Sequence, residues 1–254
     1  MREWIYGRNA VYETLQSKRR NIFRLRIAAG VSEKGRLAEI IKIASERKLV
    51  VERVQRPVLD SLAEGHQGVA MEVSGYAYSD LAEIMAESKR RGEPLFVLAL
   101  DLIQNPQNLG TLLRTAEAVG VHGVIMPGHR AAGITPAVVN ASSGACEHLL
   151  VAQVNIAQAL DELKAAGGWV IGLEGSPIAK LPEQVRLDGA LVLVVGNEGE
   201  GMRDLVRKKC DFLLALPMLG TVESLNAAVA GSVVLYLALA ARKKTETPQE
   251  QSIK

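Results

Sequence analysis

Three loops in the second half of the chain carry the residue types that group-transfer chemistry needs. Gly196-Asn197-Glu198-Gly199-Glu200-Gly201-Met202 follows an apolar run at residues 191–195. A phosphate loop would place Lys-Ser/Thr after its last glycine, and here Met202-Arg203 follows. A dinucleotide fingerprint is GxGxxG early in a βαβ unit, whereas this stretch reads GxxGxG late in the chain. Glu198 and Glu200 would repel a phosphate and suit a cationic ligand such as a sulfonium, although acidic glycine turns are also ordinary surface loops. The second loop, Asn105-Pro106-Gln107-Asn108, opens a helix whose Leu109, Leu112, Leu113 and Ala116 share one face. Arg114 lies off that face with Gly110 and Thr111; it is either a solvated arginine or, with Asn108, part of a pocket mouth that meets a phosphate or a developing alkoxide. The third loop, Glu223-Ser224-Leu225-Asn226, precedes a small-residue helix, for which Ser224 is a natural N-cap. His66, His122, His129 and His148 show no partner spacing that would make Ser224 a hydrolase nucleophile.

The elements that must position these loops follow from apolar periodicity. Short buried strands are expected at residues 95–100, 121–126, 169–173, 191–195 and 212–216. Helices are expected at 108–119, from Thr135-Pro136 with Thr as cap, from Asn155 to about residue 166, near 202–209, and at 227–241. This is a βαβ series, so an α/β domain with a mostly parallel sheet and helices on both faces is expected. Glycine-bearing loops leaving its strand ends are where such sheets bind ligands. Residues 1–75 read as a smaller α/β unit: a helix after Gly7-Arg8-Asn9, a strand at 23–28, a helix through Leu37, Ile40, Ile41 and Ala44, and strands at 49–54 and 69–73. Residues 76–94 read as a polar linker, 95–242 as the larger domain, and 243–254 as a charged, disordered tail.

Composition sets the class. Hydrophobic residues at 48% and charged residues at 23% describe a soluble globular protein. Residues 1–60 hold 14 Lys/Arg against 7 Asp/Glu, so with a whole-chain charge of +2 the remainder is −5. A basic N-terminal third points to a polyanionic partner, or to a merely solvated basic surface. Cys146 and Cys210 match no zinc or redox spacing, so reduced thiols in a cytoplasmic protein are expected, with Cys146 buried and no metal site. No signal-peptide stretch opens the chain, and the apolar run at 225–241 is short for a span and interrupted by Asn226, Gly231 and Ser232. A buried or interface helix, and no membrane association, is the reading.

Taken together the loops are more specific. NPQNLGTLLRTAEAVGVHGVIMP, LVLVVGNEGEGM and LPMLGTVESLNAAVAGSVVLYLAL resemble, in order and spacing, the three motifs of the SpoU (TrmH-like) family of RNA 2′-O-ribose methyltransferases within the SPOUT superfamily, over roughly residues 95–241. Ile5-Tyr6-Gly7-Arg8-Asn9-Ala10-Val11 and His66-Gln67-Gly68-Val69-Ala70 look like the family's ribosomal-protein-L30e-like substrate-binding domain, and the whole resembles the branch that methylates a guanosine of 23S ribosomal RNA.

The resemblance implies a SPOUT domain with a C-terminal trefoil knot, a homodimer through that domain, and S-adenosyl-L-methionine as methyl donor. It assigns Gly196, Leu216, Met218 and Leu225 to the cofactor and Asn108, Arg114, Glu198, Ser224 and Asn226 to catalysis. Arg114 would stay cationic, since a guanidinium hardly deprotonates, and would hold a phosphate and the incipient alkoxide. Arg8, Lys18, Arg19, Arg20, Arg24 and Arg26 are candidate RNA contacts. The family often has Val-Ser after the last motif triplet, where this chain has Ala227-Ala228, which touches one local hydrogen bond. A tRNA 2′-O-methyltransferase, or a non-catalytic RNA- or ribosome-binding factor of the same fold, are the alternatives. A dehydrogenase or NTPase is disfavoured by the absent fingerprints.

Overall fold

The structure, a computed structural model, describes residues 2–222 and 224–246. It forms two compact units, Met1–Ala77 with Gly133–His148 and Tyr78–Ala132 with Leu149–Lys254.

In the first unit, β1 (Arg2–Tyr6), β2 (Ile22–Ala28), β3 (Val51–Val54) and β4 (Val69–Ser74) make a sheet of order β1-β4-β2-β3. Only the β2–β3 pair is parallel. Helices α1 (Arg8–Ser17), α2 (Arg36–Glu46) and the short α3 (Arg56–Asp60) complete residues 2–77. Strand periodicity puts Leu25 and Ile27 into the core with Val11, Leu15, Leu37 and Ile40, and turns Arg24 and Arg26 to the opposite face. There they meet carboxylates: Arg24 pairs with Glu72 at 2.7 Å, and Arg26 pairs with Glu52 at 2.9 Å while lying over the Trp4 ring.

The second unit is a six-stranded, wholly parallel sheet among the described strands. The stretch read as a linker contains α4 (Leu81–Arg91), capped by Asp80, whose carboxylate accepts from Glu83 N at 2.8 Å, and closed by Gly92 at φ 67°. There follow β5 (Phe96–Asp101), α5 (Pro106–Ala118), β6 (Gly123–Met126), β7 (Val151–Gln153), α7 (Ile156–Ala165), β8 (Trp169–Leu173), β9 (Leu191–Gly196), α8 (Asp204–Lys209), β10 (Phe212–Leu214) and α9 (Ala227–Glu246). The strand order is β10-β8-β9-β5-β6-β7. β5 and β9 are buried at every position, each large apolar side chain contributing about 1.5–3 kcal/mol. The chain runs from β5 outward through β6 and β7, then crosses over to β8 and returns with β9 beside β5. The strand order therefore reverses between β5 and β9, whose last residues, Asp101 and Gly196, are register partners. That is where a crevice opens in an α/β sheet.

Two local expectations are corrected. α5 begins at Pro106 rather than Asn108, because Asn105 caps it by accepting from Gln107 N at 2.8 Å. α9 continues past residue 241 to Glu246; the rest of the expected tail, residues 247–254, lies outside the described residues.

Residues 133–148, with α6 (Pro136–Ala141), group with the first unit. Thr135 precedes Pro136 but makes no side-chain cap bond. Asn140 Nδ2 donates to Tyr6 O at 3.1 Å, and His148 pairs with Glu13 at 2.8 Å. The Arg20 side chain is wholly buried between Glu147 at 2.7 Å and Glu3 at 2.9 Å. Burial opposes its charge, but the two carboxylates outweigh that and hold its pKa above the ordinary value. Arg20 is thus an internal tie and is withdrawn as an RNA contact. Beside it Cys146 is buried, and desolvation pushes its thiol up to about 12. No described helix is long and apolar enough to cross a membrane.

Candidate active site

At the β5 and β9 ends two loops are locked together by side chains. The Asp101 carboxylate, wholly buried, accepts from Arg203 N at 2.8 Å and Arg203 Nε at 2.8 Å. Asn197 Nδ2 donates to Leu102 O at 2.9 Å, and Leu102 sits in the left-handed region at φ 64°. Such strain in a non-glycine residue clusters where structure serves function. Asn197 also shapes its own loop, its Oδ1 accepting from Gly199 N at 2.9 Å. The loop closes through Asn197 N to Gly201 O at 3.0 Å and Gly201 N to Asn197 O at 3.1 Å. A Cβ at Gly196 would lie 2.4 Å from Gly201 C and 2.5 Å from Met202 N, so only glycine permits this crossing.

The third loop enters through α9. Asn226, not Ser224, caps that helix: its Oδ1 accepts from Ala228 N at 2.9 Å and Val229 N at 3.2 Å. An amide oxygen one residue before the helix reaches these N–H groups, and this corrects the assignment of the cap to Ser224. Asn226 Nδ2 in turn donates to Asn108 Oδ1 at 3.2 Å, and Asn108 Nδ2 donates to Glu198 Oε1. One hydrogen-bonded chain, Asn226–Asn108–Glu198, therefore joins all three loops.

Beside it lies a cleft of about 550 Å³ lined by Gly196, Leu216, Met218 and Leu225 together with Glu198 and Ser224. Sequence reasoning missed Glu174, beyond β8, and Asp204, at the start of α8, which line it too. It also missed Asp101 and Asn197; the signal for the latter was the Asn-x-Gly spacing of an Asx turn. Glu174, Glu198, Glu200 and Asp204 face this cleft against one cation, Arg207, which is paired with Glu174 at 2.9 Å. The cleft is net acidic, with apolar walls from Leu173, Val195 and Leu216. It suits a ligand carrying positive charge beside a flat aromatic ring system that can lie against apolar walls, as S-adenosylmethionine does. Among the described residues no group of His, Cys, Asp and Glu is arranged to hold a metal ion.

Arg114 stands exposed on α5 and is not among the residues lining this cleft; its neighbour Thr115 meets Ser232 of α9 at 2.9 Å. Glu223 lies outside the described residues. In the first unit, Arg8 lines a separate cleft of about 460 Å³ with Arg56, and its Nε donates to Gln67 O at 3.2 Å. Arg19 donates to Ala77 O at 3.0 Å, and Lys18 ends α1 at φ 56°.

Comparison with known proteins supplies the family. The SpoU rRNA methylase family matches residues 95–236, and the RNA 2′-O ribose methyltransferase substrate-binding family matches residues 4–79. YacO of Bacillus subtilis (strain 168), named for the TrmH family of tRNA/rRNA methyltransferases, is 42% identical over 92% of this chain and 94% of its own. In fold, the chain is similar to the SpoU methyltransferase AviRb of Streptomyces viridochromogenes, solved with AdoMet, at TM-score 0.79 and 22% identity over 96% of this chain and 91% of that one. It is also similar to the A. aeolicus TrmH/SpoU tRNA modifying enzyme, at TM-score 0.55 and 28% identity over 65% of this chain and 82% of that one. From the two matched families and the relative spanning nearly its whole length, the chain belongs to the SpoU family of rRNA methylases.

Proposed function

We propose that this RNA methyltransferase transfers the methyl group of S-adenosylmethionine to the 2′-hydroxyl of a guanosine ribose in 23S ribosomal RNA. The observation that carries the reading is the Asn226–Asn108–Glu198 chain at the rim of an acidic cleft. The bound donor supplies an electrophilic methyl on a cationic sulfur, which requires no metal. Gly196, Leu216, Met218 and Leu225 form the walls that hold it, and the surrounding carboxylates favour its positive charge. Asn108, fixed on both sides of its amide, and Asn226 orient the acceptor sugar. The ribose hydroxyl must shed its proton as it attacks; Ser224, at the cleft wall, or an RNA phosphate relays it. Arg114 acts as a standing cation toward a phosphate and the forming alkoxide.

The same reading includes a knotted C-terminal segment, a cytoplasmic location and a homodimer. The exposed apolar face of α9 (Val229, Val233, Tyr236 and Leu237) supports a pairing of two copies there, which would put Arg114 near an interface. Arg8 and Arg56 support RNA capture by the first unit.

Incubation of the full chain with S-adenosylmethionine labelled on the methyl and with 23S ribosomal RNA or tRNA, followed by mapping of ribose methylation, tests this. Label at one guanosine of 23S RNA is expected. Label in tRNA alone would redirect the substrate, and no transfer despite donor binding by calorimetry would favour the non-catalytic factor.

A further inference from the structure

A second cleft opens at the carboxyl ends of β5, β6 and β7, with a volume of about 480 Å³. Leu102, His129, Arg130, Gln153, Asn155 and Arg203 line it, and no carboxylate does. It shares a wall with the donor cleft. Met202 lines one and Arg203 the other, and the Asn197–Leu102 hydrogen bond spans the same seam. The side-chain types change across that wall: four carboxylates face the donor side, while the Arg130 guanidinium and the Arg203 guanidinium, the latter backed by Asp101, face this one. Arg203 is held in place by the buried Asp101, which binds its Nε at 2.8 Å and Nη2 at 2.6 Å, yet the side chain stays 48% exposed. A preset guanidinium forfeits little entropy when an oxyanion arrives. Two non-glycine residues in the left-handed region, Leu102 at φ 64° and Arg130 at φ 58°, both line this cleft. Gln153 adds an amide group able to read the edge of a base, while Asn155 beside it caps α7, its Oδ1 accepting from Gln158 N at 3.3 Å.

We propose that this cleft holds a phosphate-bearing nucleotide of the RNA next to the ribose that is methylated, with Arg130 and Arg203 on the phosphate and Gln153 on the base. The inference rests on the RNA 2′-O-methyltransferase reading and adds where the flanking nucleotide sits. It accounts for a sheet rim that is acidic over one crossover and basic over the next. A sulfonium and an RNA strand must meet there without exchanging places, and opposite fields sort them.

The test is an amide NMR titration of the full-length protein with guanosine 5′-monophosphate and, separately, with guanosine. The monophosphate is expected to shift Gly128, His129 and Gln153, and guanosine to bind more weakly. Arg130→Gly suits a left-handed backbone, so it removes the guanidinium without straining the loop. It should weaken the monophosphate about tenfold, the loss of roughly one charge-assisted hydrogen bond, and leave calorimetric affinity for S-adenosylmethionine unchanged. His129→Ala, as a second variant, should weaken it less. Shifts confined to residues 196–201 and 215–226, no shifts, or an Arg130→Gly variant that titrates like the parent would overturn the proposal. Failure of methyl transfer with these shifts intact would count against the proposed function and leave this site standing.

Discussion

Replacing Gly196 by alanine should separate the two loops that build the donor cleft. The added methyl would sit 2.4 Å from Gly201 C and 2.5 Å from Met202 N, where ordinary contact begins near 3.4 Å. Both obstacles are backbone, so the 201–202 segment must retreat by about 1 Å, an overpacking that costs about 1–3 kcal/mol. That retreat breaks the paired Asn197–Gly201 hydrogen bonds, worth about 1 kcal/mol each. It also disturbs buried Met202, which abuts Gly172. A total near 3–5 kcal/mol corresponds to a fall of roughly 6–20 °C in Tm for a unit of this size. Gly199→Ala is the control: its nearest neighbour is Asn197 Oδ1 at 3.7 Å and its backbone is not left-handed, so its cost should stay within about 0.5 kcal/mol. Thermal melts followed by calorimetry with S-adenosylmethionine at low temperature give both readouts. A Gly196→Ala protein that melts with the Gly199→Ala control and binds the donor like the parent would refute the close-crossing argument.

Three further outcomes follow from named contacts. Asn226→Ala should lose about 1 kcal/mol of stability with the α9 cap. Asn226→Asp should keep that stability but lower the transfer rate about a hundredfold, because it caps the helix yet cannot donate to Asn108; a full-rate Asp variant would break the link between the chain and catalysis. Arg20→Met should destabilise the protein by about 3–5 kcal/mol in urea melts, since it strands buried Glu147, and Arg20→Met with Glu147→Leu should recover much of that; an additive double variant would contradict this. His122 is buried with Nδ1 accepting from Phe96 N at 2.9 Å, and burial holds its pKa below the ordinary 6.5. The unfolded chain therefore takes up this proton first as pH falls. The stabilisation is complete above about pH 6.5 and is lost from there down toward the lowered folded value. His122→Asn should flatten the change in urea midpoint between about pH 7.5 and about pH 5.5, and an unchanged slope would assign it to other groups.

Arg24 and Arg20, both paired with carboxylates, show how far a one-dimensional pattern reaches. Alternation in residues 23–28 correctly set Leu25 and Ile27 against Arg24 and Arg26, because side-chain direction in a strand depends on nothing but parity. Whether an arginine on the outward face meets RNA or a carboxylate depends on the neighbouring strand. Glu72 and Glu52 arrive there from residues far along the chain. Arg20 belongs to a distant partner altogether, Glu147, brought by a segment that sequence order alone would assign to the other unit.

For the candidate site the division is similar. The parallel sheet and the three loops at its strand ends were legible from the chain alone, since apolar runs, turn residues and chain order are local properties; the crossing that demands glycine at 196 was not, because it shows only in the folded loop. The Asn226–Asn108 bond spans 118 residues, the acidic cleft borrows Glu174 and Asp204 from other crossovers, and the basic cleft beside it gathers β5, β6 and β7. These arise only on folding, because placing β9 against β5 is a long-range pairing, and the charge of a cavity is the sum over elements that are neighbours in space alone.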